Sequence, residues 1–177
     1  MLNIKFWPPL KHFAPNVQEL LAFSMAAEKE YPASLTVDRV GPLNEDAGYS
    51  PGVLRAHMPD WASRQNMLNS AVLALAFSEF VWVKGGAEGL CVFSRADANQ
   101  SLEGGSGAWL MGTITDPWRA GPCKVIARWY KPLEVDQIVN SIGAGDSMLG
   151  AVLAGLSKGM SAEDDTHLDK LVDIGQL

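Results

Sequence analysis

The sequence predicts an α/β fold, a sheet flanked by helices, and three observations predict it. A helical stripe, an apolar strand and a glycine turn follow one another over residues 60–89. A second apolar strand follows that turn at once. Near residue 143 another glycine-rich turn opens a long apolar helix.

The elements read in order as follows. Met1 to Pro15 reads as a strand or loop fragment, because Trp7-Pro8-Pro9 prevents a long helix. Asn16 then caps a helix in which Leu20, Leu21 and Met25 recur at helical spacing. Residues 31–59 are rich in Pro, Gly, Asp and Asn and read as a loop or insertion. Asp60 reads as the N-cap of the next helix, whose stripe Leu68, Val72, Leu75 and Ala76 ends near Glu79. Phe80 to Lys84 reads as a buried strand, and Leu90 to Ser94 as a second one, the pair forming an antiparallel hairpin or a similarly tight strand-turn-strand unit. Residues 96–121 read as surface loops or a small hairpin around the apolar island Ala108 to Met111. Lys124 to Tyr130 is the next strand and Val135 to Val139 a short extended segment. Asp146 to Leu156 is an apolar helix stopped by Lys158-Gly159, and Ser161 caps a last helix.

Composition narrows the function classes. The 177 residues suit one domain, and 47% apolar against 19% charged residues is the balance of a folded chain. The formal charge of -6 and the lack of a Lys/Arg cluster argue against nucleic acid as a partner. No apolar stretch suits a membrane span, and no secretory signal is readable, so the expected setting is cytoplasmic. Cys91 and Cys123 have no CxxC partner and read as buried small side chains. His12, His57 and His167 lack metal-ligand spacing and read as surface or supporting residues, and the six tryptophans as core or loop anchors.

The segment with the most chemistry is Gly143-Ala144-Gly145-Asp146 at the mouth of an apolar helix. Small residues permit a turn whose backbone amides converge, and the helix N-terminus adds partial positive charge, so a phosphate fits there. An Asp at the same turn is placed to deprotonate a hydroxyl. The plainer alternative is a tight loop with Asp146 as a helix cap. The spacing is neither that of a P-loop nor that of a dinucleotide site.

Asn140-Ser141-Ile142-Gly143-Ala144-Gly145-Asp146, with Gly150 downstream, resembles the C-terminal signature of the ribokinase-like carbohydrate kinase family. The resemblance implies that Asp146 is the catalytic base and that the amides of Gly143, Ala144 and Gly145 form the hole for phosphate charge. Ser141 keeps the hydroxyl of the family's Thr, and Asn140 replaces its usual Asp. Asn16-Val17-Gln18-Glu19 is similar to the family's Asn-x-x-Glu motif, which implies an indirect role for Asn16 and Glu19 in holding hydrated Mg²⁺. Val83-Lys84-Gly85-Gly86-Ala87-Glu88-Gly89 resembles the strand and turn before the nucleotide pocket. It makes Lys84, Gly85, Gly86 and Gly89 nucleotide-binding candidates, whereas the plain account of Lys84 is an exposed lysine closing a strand.

The resemblance implies a partial ribokinase-like three-layer sheet, corresponding to the nucleotide and phosphate side of a family member. Tyr130, Pro132 and residues 139–147 are most similar to pseudouridine kinase-like members. The implied reaction is ATP- and Mg²⁺-dependent phosphoryl transfer to a primary hydroxyl of a sugar or nucleoside. The segment that grips the acceptor has no counterpart in this sequence, so the expectation for the chain alone is weak ATP binding without measurable turnover. Self-association, or a second chain supplying the missing half, follows as an expectation. The rival readings are a non-catalytic nucleotide-binding remnant and an interaction module completed by a partner chain.

Overall fold

The computed structural model describes residues 10–30, 59–63, 65–97, 108–115, 122–132 and 143–176. They form a mixed α/β domain. The elements are β1 (Leu10–Phe13), α1 (Val17–Glu30), α2 (Asp60–Ser63), α3 (Gln65–Leu75), β2 (Ser78–Lys84), β3 (Leu90–Asp97), β4 (Ala108–Thr115), β5 (Pro122–Tyr130), α4 (Ala144–Ser157) and α5 (Asp165–Gln176). The strands make one sheet in the order β1-β2-β3-β5-β4. β1 runs parallel to β2, with His12 opposite Phe80, and the remaining pairs are antiparallel.

Period-2 alternation along the central strands builds two cores. On one face Val81, Val83, Cys91, Phe93, Val125 and Ala127 pack under α1, α2 and α3 through Leu20, Phe23, Trp61, Val72 and Leu75. On the other, Phe80, Trp82, Leu90 and Val92 pack under α4 and α5 through Val152, Leu168, Leu171 and Val172. A strand covered on both faces loses the polar half of its pattern, and β2 reads Phe-Val-Trp-Val for that reason. Fully burying one such side chain is worth roughly 1.5–3 kcal/mol. Among the described residues no helix is long and apolar enough to cross a membrane.

The β2–β3 pair is antiparallel across a tight turn, as the sequence predicts. Other boundaries differ. Ala108–Thr115 is a sheet strand, where a loop or surface hairpin is the sequence expectation, and β3 continues through Asp97. Pairing with β5 supplies what local composition does not, and Gly112 falls where the β4–β5 register shifts. The helix expected to end near Glu79 stops at Leu75, where the Ser78 hydroxyl donates to the Ala74 carbonyl at 3.0 Å, and Glu79 belongs to β2. Asp60 is the first residue of α2. The last helix is capped by Asp164, whose Oδ1 accepts from His167 N at 3.0 Å, while the Ser161 hydroxyl accepts from Glu163 N at 3.2 Å. That amide hydrogen bond, the largest influence on it, lowers the Asp164 pKa. Within the expected strand or loop fragment Met1 to Pro15, residues Leu10–Phe13 form a strand. Residues 1–9, 31–58 and 133–142 lie outside the described residues, and with them the rest of that fragment, most of the 31–59 insertion, the extended segment Val135 to Val139 and Asn140 to Ile142.

Candidate functional site

Three segments far apart in sequence meet where β2 ends. The Lys84 backbone N–H donates to the Pro15 carbonyl at 3.0 Å, and Lys84 pairs with Asn16 in an isolated parallel bridge. The line of β1 thus continues beside β2 to the point where α1 begins. There Asn16 Oδ1 accepts from Glu19 N at 2.9 Å, and Glu19 Oε2 accepts from Asn16 N at 2.8 Å. This is a reciprocal capping box with Asn in the Ser/Thr place. It engages one oxygen of each residue with the backbone.

The third segment is the start of α4. Gly143 is its N-cap, in the left-handed region at φ 80, where a side chain is strained. The Gly143 carbonyl accepts from Asp146 N at 3.0 Å and Ser147 N at 2.9 Å, which winds the first turn. Among the described residues no side chain caps this helix. Asp146 is the third helical residue and is exposed, so it is not the cap. The N–H groups of Gly143, Ala144 and Gly145 find no acceptor among the described residues.

Lys84 joins this turn to β2. A Cβ placed on Gly145 would lie 3.2 Å from Lys84 Nζ and 3.3 Å from its Cδ, so the lysine side chain lies across the opening of α4. Lys84 has no ion-pair partner among the described residues. An ammonium beside the positive end of a helix dipole is electrostatically unfavourable unless an anion lies between them. The arrangement favours an anion.

The glycine turn after Lys84 has a structural account of its own. Gly85 N–H donates to the Gly89 carbonyl at 2.8 Å and closes a 3-10 turn over Gly86–Glu88. A Cβ on Gly89, at φ 92, would collide with the Tyr130 carbonyl, and one on Gly85 with the Trp61 ring. Gly86 has open space around it. Gly85 and Gly89 are therefore required by the close approach of β5 and α2, whatever else they touch. The Trp61 indole N–H is buried beside this turn without an acceptor among the described residues.

The structure also shows contacts that sequence spacing does not signal. The Trp82 indole N–H donates to His12 Nδ1 at 3.3 Å, and the His12 ring stacks on Phe80 with centroids 5.1 Å apart. His12 is thus packed against the sheet, where a surface or supporting residue is expected, because β1 lies beside β2. The Tyr130 hydroxyl donates to Asp169 Oδ1 at 2.9 Å and ties β5 to α5. Cys91 is buried as expected, and burial pushes its thiol pKa up. Trp61 and Trp82 are core residues, whereas Trp7, Trp118 and His57 lie outside the described residues. Among the described residues no cluster of three or more His, Cys, Asp or Glu side chains is placed to hold a metal.

No family model matches the chain, and neither a curated protein nor a solved structure matches it.

Proposed function

We propose that this corner binds the phosphates of ATP and takes part in phosphoryl transfer to a primary hydroxyl of a sugar or nucleoside, pseudouridine among the acceptors. The single observation that carries the reading is Lys84, which lies across the start of α4 with no carboxylate partner and no side-chain cap there among the described residues. Lysine and the amides of Gly143, Ala144 and Gly145, which find no acceptor among the described residues, together present positive charge to one point. In the reaction Asp146 takes the acceptor proton as the hydroxyl oxygen bonds to the γ-phosphorus and the bond to ADP breaks. The amides hold the charge that develops on the phosphoryl oxygens. Bound Mg²⁺ supplies neutralisation of phosphate charge. The donor set fits it only indirectly: the capping box leaves Glu19 Oε1 and the Asn16 side-chain amide, which suit the waters around a hydrated ion.

The same reading places the domain in a ribokinase-like three-layer arrangement, with acceptor recognition contributed outside the described residues or by a second chain, and in the cytoplasm. Nucleotide binding without transfer is the second reading, and the open position of Asp146 favours it. One experiment separates the two. Nucleotide affinity and Mg²⁺-dependent phosphorylation are measured across ribose, adenosine and pseudouridine, for the native chain and for Asp146→Asn. Transfer abolished by the substitution, with affinity retained, supports the kinase. Affinity without transfer to any acceptor supports the binding remnant. Absence of nucleotide affinity contradicts both.

A further inference from the structure

His12 sits on β1, the edge strand among the described residues, four residues before Asn16, and its imidazole is used as an acceptor. Trp82 is 1% exposed, and His12 Nδ1, at 3.3 Å, is the acceptor its indole N–H finds among the described residues. An imidazole that accepts at Nδ1 is neutral and carries its proton on Nε2. We propose that His12 is an acid-sensitive latch: its neutral form holds β1 against β2 through Trp82, and protonation at Nδ1 releases the strand and the start of α1 with it. The inference is independent of phosphoryl transfer, since it concerns how the edge strand is held.

Protonation replaces an acceptor with a donor facing a donor, and it leaves a buried indole N–H unpaired. It also places charge between the Phe80 and Trp82 rings, whose centroids lie 5.1 Å and 6.0 Å from that of His12. The groups that face the imidazole are Lys11 on its own strand, Glu79 on β2, and Glu163 in the segment before α5. Lys11 and Glu163 are themselves paired at 3.2 Å. Burial and then Lys11 lower the His12 pKa, against the two carboxylates. Attraction of an imidazolium to the Phe80 face opposes the release, but it restores no acceptor to Trp82. β1 is the element that yields, because among the described residues it is four residues long and pairs with β2 alone.

The sign of the pH effect follows from linkage. A histidine whose pKa is lowered on folding is protonated first in the unfolded chain. The native arrangement is therefore fully favoured above the ordinary imidazole pKa of 6.5, weakens as pH falls below it, and has lost this contribution once pH passes the folded value.

The test follows the full chain by NMR through the His12 titration. Protection factors are read for the Leu10 N–H, which donates to Phe77 O, and for the Lys84 N–H, which donates to Pro15 O. Both should fall by about tenfold across the titration, the scale of leaving one buried donor unpaired. His12→Asn keeps an acceptor that does not titrate, and its protection should stay level over the same range. Should that variant not fold, Trp82→Phe serves instead: without the indole donor, His12 titrates at higher pH than in the native chain. Level protection across the His12 titration overturns the latch, as does an equal fall in His12→Asn or an unmoved His12 titration in Trp82→Phe.

Discussion

Two helices begin at the end of β2, and they begin differently. α1 satisfies its own first turn, with the Asn16 and Glu19 side chains bonded back to the backbone at 2.9 and 2.8 Å. α4 starts on a glycine in the left-handed region, has no side-chain cap among the described residues, and has a lysine laid across its opening. A closed N-terminus is a stability device. An open one beside a cation that has no ion-pair partner among the described residues suits an anion, because its first amides find no other acceptor among those residues. Similar Asn/Glu and Gly/Asp sequences at two helix starts therefore predict different costs when altered.

The largest effect is expected at Asp146. Asp146→Asn in the active assembly should lower kcat by about 10²–10⁴-fold, the range for a general base, with nucleotide affinity changed little. Steady-state kinetics with a direct binding measurement checks this, and retained turnover removes Asp146 from the base role. Next comes Lys84→Met, which keeps the apolar stem and deletes the charge. Nucleotide affinity should fall about tenfold, the scale of one hydrogen bond to a charged group, while the thermal midpoint stays level. Calorimetric titration beside thermal unfolding separates the two. At the closed helix the pattern should invert: Asn16→Ala should cost about 1 kcal/mol of stability in denaturant unfolding as a lost cap. Asn16→Asp should recover it. A loss of magnesium-dependent turnover in Asn16→Asp at full stability would assign Asn16 a role beyond the cap. The smallest effect belongs to Gly145→Ala. Alanine favours helix over glycine by up to about 1 kcal/mol, so stability should hold or rise. The added Cβ meets the Lys84 side chain at 3.2 Å, so nucleotide affinity should still fall by about threefold, less than loss of one charged hydrogen bond.

The parts legible in the sequence are those written locally. The Phe80 to Lys84 strand, the glycine turn and the antiparallel return are set by apolar run and turn chemistry within fifteen residues. The Asn16 cap and the Gly143 turn are equally local. What was not legible depends on partners distant in the chain. Ala108–Thr115 becomes a strand because β5 pairs with it, and Gly112 hides it from any reading of propensity. The last helix starts on Asp164 and not Ser161, since either residue type can cap and only the amide that arrives decides between them. Gly85 and Gly89 illustrate the converse. Their positions suit a ligand turn, yet the Trp61 ring and the Tyr130 carbonyl already require glycine there. The approach of Lys84 to Gly145 joins residues 84 and 145 through the packing of α4 on β2, and no spacing rule could have announced it.

The central claim, that the open helix start and Lys84 form one anion site, is tested most directly by titrating Mg²⁺·ATP into the isotope-labelled chain and following backbone amides by NMR. The account predicts saturable shifts at Ala144 and Gly145, accompanied by Lys84 and lost in Lys84→Met, with the amides of the α1 capping box changed far less. Shifts that leave Ala144 and Gly145 unmoved, or that persist unchanged in Lys84→Met, would contradict it.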